Sequence, residues 1–118
     1  MALTIGTRRE EEIAILELEG SLTLGPSLGS LRNAAREELA KTKLLGIILD
    51  VQRITSVDSS GLGELTIVYS SAGRHNCPMR LIGVSSNLQK MLQMTHLDAV
   101  LASAEDLETA KEQLREAH

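Results

Sequence analysis

The chain has 118 residues, of which 42% are apolar, and a net charge of −4. It contains no Trp or Phe, and Tyr69 is its only aromatic residue, so it cannot supply the aromatic platform on which single-stranded nucleic acids stack. Its negative charge also disfavours a phosphate backbone as ligand. The length fits one domain, residues 1–118. No apolar run approaches the roughly 20 residues of a membrane span, no signal-peptide pattern opens the chain, and the single cysteine, Cys77, suits a reducing compartment. We therefore expect a cytoplasmic protein that does not bind a membrane.

The first half of the chain predicts a hairpin, a helix and a central strand. Alternating apolar residues predict strands over residues 3–8 and 12–19, joined by an acidic turn. Pro26 suits the first turn of a helix that ends near Thr42. Residues 47–49 predict a strand buried on both faces, and residues 51–58 are expected to form a loop. The apolar side of the first helix is expected to contain Leu28, Leu31, Ala35 and Leu39.

The second half predicts alternating helices and strands. We expect a helix from Ser59 or Ser60 to about Gly73, a strand over residues 79–84, and a third helix capped by Ser85 or Ser86. A short strand near residues 100–101 and a final helix from about residue 104, capped by Ser103, complete the pattern. Strand and helix alternate after the initial hairpin, which predicts an α/β domain with a mixed sheet of four or five strands and about four helices. The predicted buried residues of these helices are Leu62, Leu65, Tyr69, Ala72, Leu88, Met91, Leu92, Leu107, Ala110 and Leu114.

Residues 56–63 have the sequence Ser-Val-Asp-Ser-Ser-Gly-Leu-Gly and lead from the predicted strand and loop into the second helix. Asp and Ser commonly cap helices, so simple capping explains part of this segment. One cap is enough, however, and Asp58, Ser59 and Ser60 are all candidates. Gly61 and Gly63 follow inside the helix, where each costs about 1 kcal/mol relative to Ala. These glycines allow either close approach of a partner to the backbone or tight packing on the sheet, and the sequence leaves both open.

The helix starting at this segment is also predicted to present a flat face. Projection at about 100° per residue places Ser60, Gly63, Glu64, Ile67 and Ser71 opposite the apolar stripe. A solvated helix face is usually rich in charge, whereas this one combines small residues with one Glu and one Ile. The face suits docking of another protein, although a single exposed Ile is also an ordinary surface feature.

Enzymatic functions find little support in the sequence. A nucleophilic Ser60 needs a positioned base, and none of His75, His96 and His118 lies in a recognisable triad motif. Nucleophile-elbow, dinucleotide-binding and Walker A sequences are absent, and His75-Asn76-Cys77 offers too few ligands for zinc. We therefore expect no catalytic residue, no metal and no cofactor, with a small Ser60 hydrolase as the least supported alternative.

Residues 57–63 closely resemble the signature of the STAS domain, specifically that of the bacterial anti-sigma factor antagonists. The resemblance extends to residues 18–22, which look like the end of the family's second strand, and to residues 47–51, which look like its central strand. Residues 81–84 and 88–94 look like its later strand and helix. The resemblance implies a single STAS-type domain whose helices pack mainly on one face of the sheet.

The resemblance also implies a mechanism. In the family, the dephosphorylated antagonist binds an anti-sigma factor that is also a serine kinase, and this binding frees the sigma factor. The kinase phosphorylates the second serine of the motif, here Ser60, which ends the binding, and a PP2C-type phosphatase removes the phosphate. We expect a monomer when the protein is free. The expected partner-binding residues are Thr23, Asp58, Ser59, Ser60, Gly61, Gly63, Glu64 and Ile67.

One position departs from the family pattern. Many antagonists have an Asp after the Gly-x-Leu that ends the second strand, close to the phosphosite, whereas this chain has Thr23. Because of this departure, a second function remains possible, that of a constitutive STAS subunit. Such a subunit would be either a stressosome-type scaffold or an accessory subunit of lipid transport.

Overall fold

The chain opens with an antiparallel hairpin and continues with alternating helices and strands, as its hydrophobic pattern predicts. The computed structural model describes residues 2–117, and within them five strands and four α-helices are formed. The strands are β1 (Thr4–Glu10), β2 (Ile13–Leu22), β3 (Gly46–Val57), β4 (Met79–Ile82) and β5 (Ser103–Ala104). The helices are α1 (Ser30–Lys41), α2 (Ser59–Arg74), α3 (Ser86–Met94) and α4 (Leu107–Glu116), with a short 3₁₀ helix at Leu97–Ala99.

The strands form one mixed sheet in the order β1-β2-β3-β4-β5. β1 and β2 are antiparallel, and each later neighbour is parallel to the one before it. The hairpin turn places Glu11 and Glu12 at positive φ (53° and 65°), a conformation that non-glycine residues rarely adopt. Basic residues of α4 compensate the negative charge of this acidic turn. Lys111 Nζ lies 3.1 Å from Glu10 Oε1, and Arg115 pairs with Glu11.

Both faces of the central strands are buried, as predicted for residues 47–49. Helices α1, α2 and α3 cover one face, while α4 alone packs on the other against Ile13, Ile15, Ile48 and Ile82. Three of the four helices therefore share a face. Predicted core residues on that side are buried, namely Leu31, Leu39, Leu62, Leu65, Leu88 and Leu92. None of the helices within residues 2–117 has the length and apolar character that crossing a membrane would require.

Two expectations for the first half are wrong. Helix α1 begins at Ser30 and not at Pro26, because residues 25–31 form successive i→i+3 turns, such as Leu28 N–H to Gly25 O (3.2 Å). Residues 51–57 are strand and not loop, since the second half of β3 pairs with β2 as far as Leu22 and Val57. The side chains in this half of β3 are largely exposed and polar. A hydrophobicity pattern therefore does not reveal it as a strand.

The end of the chain also differs from expectation. Residues 100–101 are not a strand, and β5 follows as the short Ser103–Ala104. Helix α4 begins at Leu107 and is capped by Asp106, whose Oδ1 accepts a hydrogen bond from Thr109 N (2.8 Å), so Ser103 is not its cap. Strand β4 ends at Ile82 and not at residue 84, because Gly83 turns the chain at φ 72°. The cap of α3 is Ser85, one of the two candidates.

The buried side of α2 is rotated from the predicted one. Tyr69 is 40% exposed and not buried, and Val68 occupies the core instead. Glu64 and Ser71, predicted on the exposed face, are buried. The rotation turns this flank of α2 toward α1, where Arg32 supplies a partner for Glu64.

Leu65→Ala and Tyr69→Ala together test this helical phase, because Leu65 is buried in both the predicted and the observed arrangement and Tyr69 only in the predicted one. Leu65 is fully buried against the sheet, so we expect the substitution to cost about 2–5 kcal/mol in the free energy of unfolding, measured with urea. Tyr69→Ala, on the exposed side of the same helix, serves as the control and should cost less. A loss below about 1 kcal/mol for Leu65→Ala, within the range of surface changes, would contradict the observed packing of α2.

Candidate functional site

The start of α2 is capped by Asp58. Asp58 has extended backbone geometry (φ −122°, ψ −175°), and its Oδ1 accepts a hydrogen bond from Gly61 N–H at 2.9 Å. This bond satisfies one of the N–H groups that a helix start leaves unpaired. Of the three capping candidates, the aspartate therefore takes this role, and Ser59 and Ser60 form the first turn of the helix.

The same carboxylate also holds the loop between β2 and α1. Asp58 Oδ2 accepts a hydrogen bond from Leu24 N–H (3.0 Å), and Asp58 N–H donates to the Leu22 carbonyl (3.3 Å). Hydrogen bonds from the Leu24 and Gly61 amides hold the pKa of the Asp58 carboxyl below its usual value, because they stabilise the ionised form. The loop that contains Thr23 and the start of α2 therefore form one connected unit.

Leu24 is a residue of this unit that the sequence does not single out. Its side chain is 78% exposed although it is large and apolar. The sequence signal for this residue is a leucine within the segment Leu22-Thr23-Leu24-Gly25-Pro26, directly before the turn-forming residues Gly25 and Pro26. Its contact with Asp58 joins positions 34 residues apart, which a local pattern does not show.

The two glycines of the motif have different roles. A Cβ on Gly61 would lie 1.8 Å from the carbonyl oxygen of Leu22, so Gly61 lets α2 pack tightly on the end of β2. A Cβ on Gly63 would meet nothing within 4 Å, and this residue is exposed. Of the two explanations left open by the sequence, tight packing applies to Gly61, while Gly63 leaves an open surface without a side chain.

The two serines are exposed to different degrees. Ser59 is exposed, whereas Ser60 is half-buried, and Ile67, two turns along α2, is half-buried as well. The face predicted opposite the apolar stripe is therefore only partly exposed, because it turns partly toward α1. Ser60 still stands at the second position of the helix, where backbone N–H groups and the helix dipole favour negative charge.

An ion pair between a partly exposed arginine and a buried glutamate crosses from α1 to α2 beside the motif. Glu64 is only 4% exposed, and it accepts two hydrogen bonds from Arg32, one of them from Nε to Oε2 at 3.1 Å. Hydrogen bonding to Glu64 raises the pKa of the Arg32 guanidinium. The sequence does not reveal Arg32 as part of this site, because the pair joins residues 32 positions apart on separate helices.

The histidines with described positions lie elsewhere. His75 follows the far end of α2, where its Nδ1 lies 2.9 Å from the Ser71 carbonyl, and His96 precedes the 3₁₀ helix. His118 lies outside the described residues. The start of α2 thus provides the Ser60 hydroxyl at a helix N-terminus, where free backbone N–H groups and the helix dipole can accommodate a phosphoryl group.

Solved structures with this fold include several regulators of sigma factors. An anti-sigma factor antagonist from Mycobacterium paratuberculosis is 16% identical with a TM-score of 0.79, covering 97% of this chain and 95% of that one. The phosphorylated form of the Bacillus cell fate determinant SpoIIAA is 17% identical with a TM-score of 0.68, covering 98% of this chain and all of that one. A chain of the stressosome is 18% identical with a TM-score of 0.70, covering 95% of this chain and 97% of that one.

At these identities the structural matches show a shared fold. The family is shown by the sequence, since the model of the STAS domain matches residues 4–112. This range contains the whole sheet and the Asp58–Gly63 motif at the start of α2. The chain therefore belongs to the STAS domain family, as its motif indicated.

Proposed function

We propose that the protein is an anti-sigma factor antagonist whose binding is switched off by phosphorylation of Ser60. The observation that carries the proposal is the placement of Ser60 in a preformed unit at the start of α2, where Asp58 joins the helix to the loop after β2. Membership of the STAS family and the shared fold with anti-sigma factor antagonists support it. In this role the protein is a cytoplasmic binding module and not an enzyme.

The proposed partner is an anti-sigma factor that is also a serine kinase, and a PP2C-type phosphatase resets the switch. The proposed docking surface surrounds Ser60 and includes Thr23, Asp58, Ser59, Gly63 and Ile67, all of them exposed or half-buried. Gly61 and Glu64 are buried, so their contribution is to shape this surface: the glycine brings α2 close to β2, and the glutamate holds Arg32.

The switch follows from where the phosphate stands. A phosphoryl group adds about −1.5 to −2 charge at pH 7. On the free protein, the N-terminus of α2 tolerates this charge, and water still reaches it, because Ser60 is only half-buried. In a packed interface the same charge loses its water, which is costly unless the partner supplies a cation. The fold therefore survives phosphorylation while the complex is weakened.

Phosphorylation of the protein by its host's anti-sigma factor kinase with Mg-ATP tests the modification site. We expect one phosphate per chain, located on Ser60 by mass spectrometry of peptides. Ser60→Ala should abolish the mass increase of the phosphorylated chain, whereas Ser59→Ala, the matched control at the adjacent serine, should retain it. Modification of Ser59 alone, or of neither serine, would contradict the proposal.

A constitutive scaffold subunit is the second candidate function. Thr23 stands where many antagonists have an Asp, and a chain of the stressosome shares the fold over 95% of this chain. A scaffold subunit of this kind would co-purify in a large assembly whether or not Ser60 carries a phosphate. Size-exclusion chromatography of the complex from the source cell separates the two functions, because a free antagonist should elute as a monomer.

A further inference from the structure

The ion pair between Arg32 and Glu64 lies next to the proposed phosphosite. Ser60 and Glu64 are four residues apart on α2, so their Cβ atoms lie about 5–6 Å apart on the same flank of the helix. This flank faces α1, because Glu64 is buried and accepts two hydrogen bonds from Arg32. The Arg32 guanidinium thus lies against the carboxylate that neighbours Ser60.

Arg32 has capacity for a second anion. A guanidinium has five N–H donors, and Glu64 uses the Nε and Nη2 groups. The Arg32 side chain is 36% exposed, whereas that of Glu64 is 5% exposed, so the arginine stays partly open to solvent while it pairs with a buried carboxylate. A phosphate is a good ligand for such a group, because charge-assisted hydrogen bonds to Arg can be bidentate.

Three charged side chains take part in the contacts described for the first turns of α2. Asp58, which caps the helix, and Glu64, one turn along it, are negative, and Arg32 from α1 is positive. A phosphate on Ser60 would be repelled by the two carboxylates and attracted by the guanidinium. Since Glu64 is held in place by burial, the exposed part of Arg32 is the group that adjusts.

We propose that Arg32 is the intramolecular counter-ion of phosphorylated Ser60, bridging the phosphate and Glu64. The inference rests on the proposed phosphorylation of Ser60 and adds a defined partner for the phosphate within the domain. Phosphorylation then adds negative charge and also engages the Arg32 guanidinium, which is no longer available to a partner on the α1–α2 surface. Arg32 is a positioning residue for the phosphate and has no part in transferring it.

The test titrates the phosphate itself. Phosphoserine is incorporated at position 60 during translation, which requires no kinase, and the phosphate pKa is read from the pH dependence of its ³¹P chemical shift. A cation in contact favours the dianion, so the phosphate pKa should be lower in the otherwise unchanged protein than in the Arg32→Gln variant, by about 0.5–1 pH unit. Arg36→Gln, an exposed arginine one turn further along α1, is the matched control and should leave the phosphate pKa unchanged.

Three further variants keep the proposal testable if Arg32→Gln, which leaves Glu64 unpaired, fails to fold. Glu64→Gln alone removes a repelling charge, and the double variant Arg32→Gln/Glu64→Gln should show a higher phosphate pKa than Glu64→Gln alone. Arg32→Lys should restore most of the lowering, because it keeps the charge. Equal phosphate pKa values in the folded double variant and in Glu64→Gln alone would overturn the role of Arg32. Failure of a kinase to modify Ser60 would instead overturn the proposed function, since the phosphate here is installed without one.

Discussion

Gly61→Ala is expected to destabilise the domain severely. The added Cβ would lie 1.8 Å from the carbonyl oxygen of Leu22, and backbone of a paired strand has little freedom to move away. Overpacking costs about 1–3 kcal/mol and occasionally more, and a clash with backbone should lie at or above the upper end of this range, a large part of the stability of a small domain. Urea unfolding monitored by circular dichroism measures the loss.

Gly63→Ala is the matched control, because it makes the same chemical change two residues along α2. Apart from its chain neighbours and the backbone of α2 itself, no atom lies within 4 Å of the added Cβ, and Ala favours helix over Gly by about 1 kcal/mol. The variant should therefore be as stable as the unchanged protein or more stable. Equal destabilisation by both substitutions would contradict the tight contact between Gly61 and β2.

The sequence predicts the placement of the motif at the start of α2 better than it predicts the contacts around it. Asp58, Ser60 and Gly61 lie together at the start of α2 as expected, because capping residues and glycines are local signals. The core leucines are also predicted, since apolar residues at helical spacing need only the period of the helix. These features depend on neighbours within one element.

The missed features depend on contacts between elements. Glu64 is buried because Arg32 of α1 compensates its charge, and no pattern within α2 contains that information. The second half of β3 pairs with β2 through backbone hydrogen bonds, although its side chains are polar. Leu24 joins the site through its backbone N–H, which any residue type other than proline could supply.

The switch predicts a large difference between two substitutions at Ser60. Ser60→Ala keeps the site small and neutral, so the variant should bind the anti-sigma factor as the unmodified protein does, and it is not phosphorylated at this position. Ser60→Asp places a charge where the interface excludes water, and a loss of roughly 3 kcal/mol weakens binding by more than a hundredfold. Both variants should keep the circular dichroism spectrum of the unchanged protein, since a helix N-terminus tolerates an acidic residue.

Isothermal titration calorimetry of these variants against the host's anti-sigma factor tests the central claim most directly. Ser70→Asp, an exposed serine further along α2, controls for the general effect of an added negative charge and should leave affinity nearly unchanged. We predict that Ser60→Asp binds at least about a hundredfold more weakly than Ser60→Ala. Equal affinities of the two Ser60 variants would contradict the phosphorylation switch and favour a constitutive scaffold.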